Sequence, residues 1–268
     1  ASCDVALVGV PFDGTASWRS GARFGPDAIR VASVALETYS PRLDRDTEDI
    51  ALGDYGNVVV GTGRPEQVVE ATRRVTSELL ARGARPLLLG GDHSWTPGAV
   101  RAVFDRWPDV LVMQLDAHAD LRDGYLGEPF SHAAGMRRCL DFLASSALLQ
   151  VGIRSGTREE WRELRASGRL VAASSAALRD ALASAGDRPI YVTCDLDVFD
   201  PAVLSGTGVP EPGGIDWAGF EVLLDELRLR KVVASDVVEL APALDPSGAS
   251  AVLAAKVVRE LALVMAER

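Results

Sequence analysis

The sequence predicts an α/β fold in which helices cover both faces of a mostly parallel sheet. Short apolar runs alternate with segments of helical spacing along the whole chain, which is the pattern of repeated strand–helix units. These runs are apolar at nearly every position, as in strands that are buried on both faces. The 268 residues suffice for one large unit, so we expect a single domain over residues 1–268.

Strands are predicted for the uniformly apolar runs. In chain order they are residues 5–10, a weaker strand near 50–52, then 86–90, 110–115, 148–153, 170–172, 190–194 and 232–238. Each run is three to seven residues long, which is the usual length of a strand.

Helices are predicted where apolar residues recur every three or four positions. Pro26 and Pro65 stand where a first helical residue would, and Gly83 closes the second of these helices. The remaining helices are predicted at residues 97–106, 132–142, 158–166, 176–185, 217–229 and 249–266. The Gly- and Pro-rich stretch 204–214 lies between a strand and a helix, which favours a functional loop over a linker.

Composition and charge exclude several classes of protein. Hydrophobic residues make up 47% of the chain, which favours a folded globular protein. The net charge of −10, with scattered cations, argues against a nucleic-acid partner or an anionic membrane surface. Three widely spaced cysteines form no disulfide framework, and no apolar run or cationic leader indicates a membrane span or export. We therefore expect a cytoplasmic protein.

Side chains that can bind metals follow three of the predicted strands. His93 follows residues 86–90, the motif 116–120 (Asp-Ala-His-Ala-Asp) follows 110–115, and Asp195 and Asp197 follow 190–194. Alternate residues of an extended chain point to one side, and the carboxyl ends of parallel strands share one edge of a sheet. The six side chains expected to meet are His93, Asp116, His118, Asp120, Asp195 and Asp197.

Four carboxylates and two imidazoles at one edge predict a site for two divalent cations. Clustered carboxylates repel one another, and two such ions balance their four charges. A water that bridges two metal ions ionises near neutral pH and becomes a nucleophile for hydrolysis. Oxygen and imidazole donors without thiolate favour Mn²⁺, and Fe, Co, Ni and Zn remain open.

Four motifs resemble the signatures of the ureohydrolase family, which contains arginases and agmatinases. They are residues 90–94, 116–120, 131–133 and 195–202, and the likeness extends from residues 9–13 to 237–242. The resemblance implies a three-layer α/β/α sandwich and hydrolysis of a guanidino group to an amine and urea with two manganese ions. It also implies a homo-oligomer, a trimer or a hexamer.

The resemblance assigns a role to each site residue. Asp116 and Asp195 are expected to bridge the ions, with His93 and Asp120 completing one site and His118 and Asp197 the other. Asp120 is also counted among the catalytic residues. His132 is expected to pass a proton to the leaving amine, and Glu239 to pair with the planar guanidinium of the substrate.

The segment 121–130 carries the expectation about substrate. Asp123 and Tyr125 offer anionic and phenolic groups, which suit a substrate that ends in an amine. The sequence of the segment is most similar to that of the shorter agmatinases. We therefore expect a small cationic substrate, agmatine, hydrolysed to putrescine and urea. Arg122 keeps open a guanidino acid such as guanidinobutyrate, and family departures at Leu204, Ser205 and Val209 keep open a smaller guanidine.

Two alternatives belong to other classes of protein. A deacetylase-like amide hydrolase would need a pair of adjacent histidines, and the sequence has none. A non-catalytic metal-binding assembly module is the more remote alternative, against which the retention of all six ligands together with His132 and Glu239 argues.

Overall fold

An eight-stranded sheet, parallel throughout, forms the centre of the protein. The computed structural model describes residues 3–60 and 63–266. The strand order is β4-β1-β5-β10-β9-β6-β7-β8. The strands are β1 (Val5–Val10), β4 (Leu52–Asn57), β5 (Arg85–Gly90), β6 (Leu111–Leu115), β7 (Leu148–Val151), β8 (Leu170–Val171), β9 (Ile190–Asp195) and β10 (Val232–Val238).

Helices cover both faces of this sheet. They are α1 (Gly25–Ser33), α2 (Pro65–Ala81), α3 (Thr96–Arg106), α4 (Gly135–Leu140), α5 (Arg158–Ser167), α6 (Ser175–Ala185), α7 (Trp217–Leu227) and α8 (Ala249–Met265). Buried residues of α1, α6, α7 and α8 join one hydrophobic cluster, and those of α2 to α5 join another. The predicted three-layer α/β/α sandwich is therefore confirmed. Within the part of the chain described, no helix is long and apolar enough to cross a membrane.

Three local predictions differ from the structure. The predicted helix 132–142 is a 3₁₀ turn at His132–Ala134, capped by the Ser131 hydroxyl, followed by the short α4; Ala134, with φ −123° and ψ 4°, separates the two. The weak strand near 50–52 is the edge strand β4, which begins where the prediction ended. A short antiparallel hairpin, whose strands β2 (Tyr39–Ser40) and β3 (Arg45–Asp46) have two residues each, was not predicted.

The two edges of the sheet carry different chemistry. We call the edge where the strands end the carboxyl edge and the opposite one the amino edge. The loops after β5, β6, β9 and β10, which carry the predicted site residues, all lie at the carboxyl edge. The stretch 204–214 is a loop between β9 and α7 at the same edge, beside the ends of those strands.

Candidate active site

The predicted residues meet around one cavity at the carboxyl edge. This cavity has a volume of about 310 Å³ and is lined by His93, His118, Asp120, His132, Asp195, Asp197 and Glu239. Asp116 lies beneath it and is fully buried. Parallel strands place their ends at one edge, so residues distant in sequence converge here.

The first group of side chains surrounds the imidazole of His93. Its Nδ1 atom lies 3.0 Å from Asp120 Oδ2, 3.1 Å from Asp116 Oδ2 and 3.5 Å from Asp195 Oδ2. All four residues are buried. One nitrogen and three carboxylate oxygens therefore converge on a single point.

The second group surrounds His118 and shares Asp116 with the first. His118 Nδ1 lies 2.8 Å from Asp197 Oδ2 and 3.8 Å from Asp116 Oδ1. Within each of two sets of three residues, the possible ligand atoms all lie within 4.8 Å of one another. The sets are His93, Asp116 and Asp195, and Asp116, His118 and Asp197. Asp116 thus belongs to both groups and Asp195 to the first, so the expected bridging role of Asp195 stays a prediction.

Short loops at the strand ends hold these carboxylates in place. Asp116 Oδ1 accepts the backbone N–H of His118 at 2.6 Å, and Asp195 Oδ1 accepts that of Asp197 at 2.9 Å. Asp197 Oδ1 accepts from Ala117 N at 2.9 Å, which ties the loops after β6 and β9 together. The other oxygen of each carboxylate, Oδ2, lies beside one of the two imidazoles, and that of Asp116 also accepts from Gln114 Nε2 at 2.7 Å.

The chain does not stay extended through residues 116–120, as the alternation argument assumed. β6 ends at Leu115, and Asp120 has a φ of 53° in the left-handed region. This turn brings the Asp120 carboxylate back to His93. Glu239 is also left-handed, with a φ of 67°. Such strain in non-glycine residues concentrates at functional sites.

The geometry of His93 fits a bound cation. His93 Nε2 lies 2.7 Å from the Thr193 hydroxyl, which donates its proton to Asp236 at 2.6 Å, so Nε2 carries a proton. The opposite atom, Nδ1, is buried and has no hydrogen-bond partner within the described chain. A buried imidazole nitrogen that faces three carboxylates, with its other nitrogen held by a hydrogen bond, fits the donor set of a metal site.

The electrostatics of the site also call for positive charge. Burial, reinforced by Asp120 and Asp197, raises the pKa of Asp116 to about 7. Burial opposes protonation of His118, but its hydrogen bond to Asp197 outweighs this and raises its pKa to about 10. Burial and the charge of Asp197 raise the pKa of Asp195 well above its usual range. The site holds more negative charge than its residues can balance.

Glu239 and His132 face the cavity but belong to neither group. Glu239 Oε1 accepts the backbone N–H of His93 at 2.9 Å, and burial raises its pKa well above normal. His132 lies across the cavity with Nδ1 at 3.3 Å from Thr15 Oγ1 and Nε2 at 3.3 Å from Ser17 Oγ. The carboxylate of Glu239 and the imidazole of His132 therefore flank the groups around His93 and His118, which we call the acid–imidazole groups.

Of the two residues predicted from the segment 121–130, only Tyr125 lines the cavity. Its ring meets that of His132 edge-on, at 6.1 Å between centroids. The Asp123 side chain is 88% exposed and pairs with Arg138 at 2.6 Å. It is not among the residues that line the cavity.

Other cavity residues were missed at the sequence level. They are Ser17, Ser155, Gly156, Thr157, Glu160, Thr207 and Glu211; Glu160 belongs to the first turn of α5 and the others to loops. Loop residues show no periodicity, so the signals that the sequence offered were Thr15 and Ser17 after Asp13 and the capping-box spacing of Thr157 and Glu160.

Comparison with known proteins gives consistent relatives over almost the whole chain. An agmatinase of Halalkalibacterium halodurans is 38% identical over 263 residues, covering 96% of this chain and 90% of its own. The human mitochondrial guanidino acid hydrolase is 34% identical, covering 96% and 77%. A solved structure from Clostridium difficile superposes with a TM-score of 0.94 at 36% identity, covering 99% and 98%.

The fold and the site together define an enzyme of the ureohydrolase class. The arginase family model matches residues 3–264, so the chain belongs to the arginase family. An enzyme of this family is not a non-catalytic assembly module, which removes that alternative.

Proposed function

We propose that the protein hydrolyses agmatine to putrescine and urea with two manganese ions. The observation that carries the proposal is the pair of acid–imidazole groups that share Asp116 beneath a cavity containing His132 and Glu239. His93, Asp116, Asp120 and Asp195 would hold one ion, and Asp116, His118 and Asp197 the other. When bound, two such ions supply Lewis-acid activation of water.

The residues of this chain have separate tasks in that reaction. A bond forms between the oxygen of water and the guanidino carbon of the substrate. The bond from that carbon to the nitrogen of the substrate's alkyl chain breaks. His132 delivers a proton to the departing amine, since imidazole exchanges protons near neutral pH. The carboxylate of Glu239 pairs with the planar guanidinium and orients it.

Further residues of the cavity support a substrate with a second cationic end. Glu160 and Glu211 line the cavity together with the ring of Tyr125. Two carboxylates and an aromatic ring are groups that recognise an ammonium. They take the place of Asp123, which points away from the cavity. Several relatives are agmatinases, including the Halalkalibacterium protein at 38% identity.

One observation favours a guanidino acid as the second candidate. Arg122 also lines the cavity, with its guanidinium 4.4 Å from the Tyr125 ring centroid and Nε 3.9 Å from Glu160 Oε2. In the proposal for agmatine, Arg122 only neutralises Glu160. In the alternative it receives the substrate carboxylate, in keeping with the name of the human relative.

Urea release from the manganese-loaded enzyme separates these substrates. Agmatine, arginine, 4-guanidinobutyrate, 3-guanidinopropionate and guanidine are compared by kcat/KM, and the proposal requires agmatine to be highest. Arg122→Gln should leave agmatine turnover unchanged or raise it. If 4-guanidinobutyrate is the substrate, the same variant loses roughly 10- to 100-fold, the value of a charge-assisted hydrogen bond. Arg137→Gln, on α4 outside the cavity, is the matched control.

A further inference from the structure

A threonine from the loop after β1 links a buried carboxylate to the imidazole of His132. The hydroxyl of Thr15 lies 2.8 Å from Asp92 Oδ2 and 3.3 Å from His132 Nδ1, and it accepts the backbone N–H of His132 at 3.0 Å. Asp92 is fully buried, directly before the ligand-type residue His93. One hydroxyl therefore contacts both the buried acid and the ring across the cavity.

Counting protons fixes the direction of each hydrogen bond. Asp92 Oδ2 accepts the backbone N–H of Thr15 at 2.9 Å, and Oδ1 accepts that of Ser94 at 3.2 Å. The oxygens of ionised Asp92 only accept hydrogen bonds, so the single hydroxyl proton of Thr15 points to Oδ2. One lone pair of Thr15 Oγ1 already accepts from His132 N. Its second lone pair faces His132 Nδ1, which must carry the proton.

We propose that Thr15, held by Asp92, is a positioning residue that keeps neutral His132 in its Nδ1-protonated tautomer. Nε2, which lies next to Ser17 at the cavity, is then the nitrogen that holds and releases the catalytic proton. The catalytic part of this inference rests on the role of His132 in the proposed function. The assignment of the tautomer rests on the hydrogen bonds alone.

The same arrangement occurs a second time in the molecule with the opposite ring nitrogen. Thr193 donates to the buried Asp236 and contacts His93 Nε2, so that Nδ1 is the nitrogen that faces the carboxylates. In both cases a threonine hydroxyl gives its only proton to a buried aspartate and so requires a donor on the histidine. The two threonines thereby require a proton on opposite ring nitrogens, Nδ1 in His132 and Nε2 in His93.

The surroundings of His132 offer Nδ1 one weaker partner. Ser131 Oγ lies 3.5 Å from Nδ1 and already accepts the N–H of Ala133 at 3.3 Å. The ring of Tyr125 approaches edge-on, and the charged groups that share the cavity are Asp120, Arg122 and Glu239 among others. Removal of the Thr15 hydroxyl should therefore allow both tautomers of the His132 ring without removing His132 from the cavity.

Nitrogen-15 NMR of the histidine rings tests this inference directly. The chain has only three histidines, so ¹⁵N-histidine labelling gives signals from six ring nitrogens. The two signals that are lost in His132→Asn are those of His132. The full chain is loaded with diamagnetic Zn²⁺ for the spectra and with manganese for kinetics. Wild-type protein should show protonated Nδ1 and bare Nε2 for neutral His132.

Thr15→Val should shift His132 toward a mixture of tautomers and lower kcat by 10- to 100-fold, with KM and metal content nearly unchanged. Thr15→Ser, which keeps the hydroxyl, should restore both the spectrum and kcat to within about threefold. Thr47→Val is the matched control, and Thr193→Val should move the signals of His93 and not those of His132.

A protonated Nε2 in neutral wild-type His132, or an unchanged His132 spectrum in folded Thr15→Val, overturns the inference. If Thr15→Val does not fold, the wild-type and Thr15→Ser spectra still decide the tautomer. Absence of urea release from every guanidino compound, with the predicted tautomer present, defeats the proposed function and leaves the assignment of Nδ1 standing.

Discussion

The two edges of the same sheet gather opposite charges. At the carboxyl edge, buried carboxylates surround His93 and His118. At the amino edge, a second cavity of about 630 Å³ is lined by five cations, Arg45, Arg85, Arg228, Arg230 and Lys231. In the described part of the chain no carboxylate lines that second cavity.

The charges at the amino edge have partners within the chain. Arg45 donates to the carbonyl oxygens of Leu263 and Ala266, and Arg85 donates to that of Met265, at the carboxyl end of α8. Cations suit a helix C-terminus, and long side chains carry charge to solvent. The aspartates at the carboxyl edge are short and buried and can do neither. We therefore expect the buried acids to take cations from outside the chain, whereas the half-buried and exposed bases of the amino edge have partners within it.

The largest effect should follow from removing the acid that belongs to both groups. Asp116→Ala removes a ligand from each, so we expect loss of both manganese ions and a fall in kcat/KM of more than 10⁴-fold. Metal analysis and urea release measure these two results. Asp225→Ala, whose carboxylate pairs with Arg42 and Arg228 at the surface, is the matched control. Two ions retained by folded Asp116→Ala would refute its shared position.

The next largest effect concerns the imidazole that binds no ion. His132→Asn should lower kcat by about 10²–10⁴-fold, the usual contribution of a general acid or base. Metal content should stay as in the wild type, since His132 belongs to neither group. Unchanged turnover would reduce His132 to the first residue of its 3₁₀ turn.

A third prediction concerns the pH dependence of the metal-free protein. The pKa of Asp116 is raised from 3.8 to about 7 and that of His118 from 6.5 to about 10, so the folded state binds these protons more tightly than the unfolded chain. The free energy of unfolding therefore falls as pH rises from about 4 to 7 for Asp116, and from 6.5 to 10 for His118.

Calorimetry with and without manganese checks that slope. The Tm of metal-free protein should drop on the order of 5–10 °C between pH 5 and 8, and bound ions should largely abolish the drop because they keep Asp116 ionised. Equal slopes with and without metal would mean that the carboxyl edge carries no uncompensated charge.

The smallest effect belongs to the amino edge. Arg45→Gln removes hydrogen bonds to the end of α8 and should lower the free energy of unfolding by about 1 kcal/mol, with kcat and metal content unchanged. Denaturant unfolding measures it. A loss of activity comparable to that of His132→Asn would show that the two edges are not independent.

The strands of the core could be predicted from sequence because burial on both faces leaves a uniform apolar run. β1 and β10 have the predicted bounds. β4 reads Leu-Gly-Asp-Tyr-Gly-Asn and is mostly exposed, since it lies at the sheet edge and owes its conformation to pairing with β1. No property of residues 52–57 alone distinguishes such a strand from a loop.

The residues at the strand ends could also be predicted, because topology places the carboxyl ends of β5, β6, β9 and β10 together. Thr15 and Glu160 could not, since the loop that carries Thr15 and the start of α5 that carries Glu160 are placed at the cavity by tertiary hydrogen bonds. Asp123 shows the converse, because its ion pair with Arg138 draws it away from the cavity. The expected homo-oligomer stays a prediction.

The carboxyl edge should act only with two ions in place. Metal-free enzyme is titrated with manganese while bound ions per chain and urea release from agmatine are recorded on the same samples. We expect kcat to rise to its plateau at two ions per chain. A plateau at one ion per chain, or full turnover without bound metal, would contradict it.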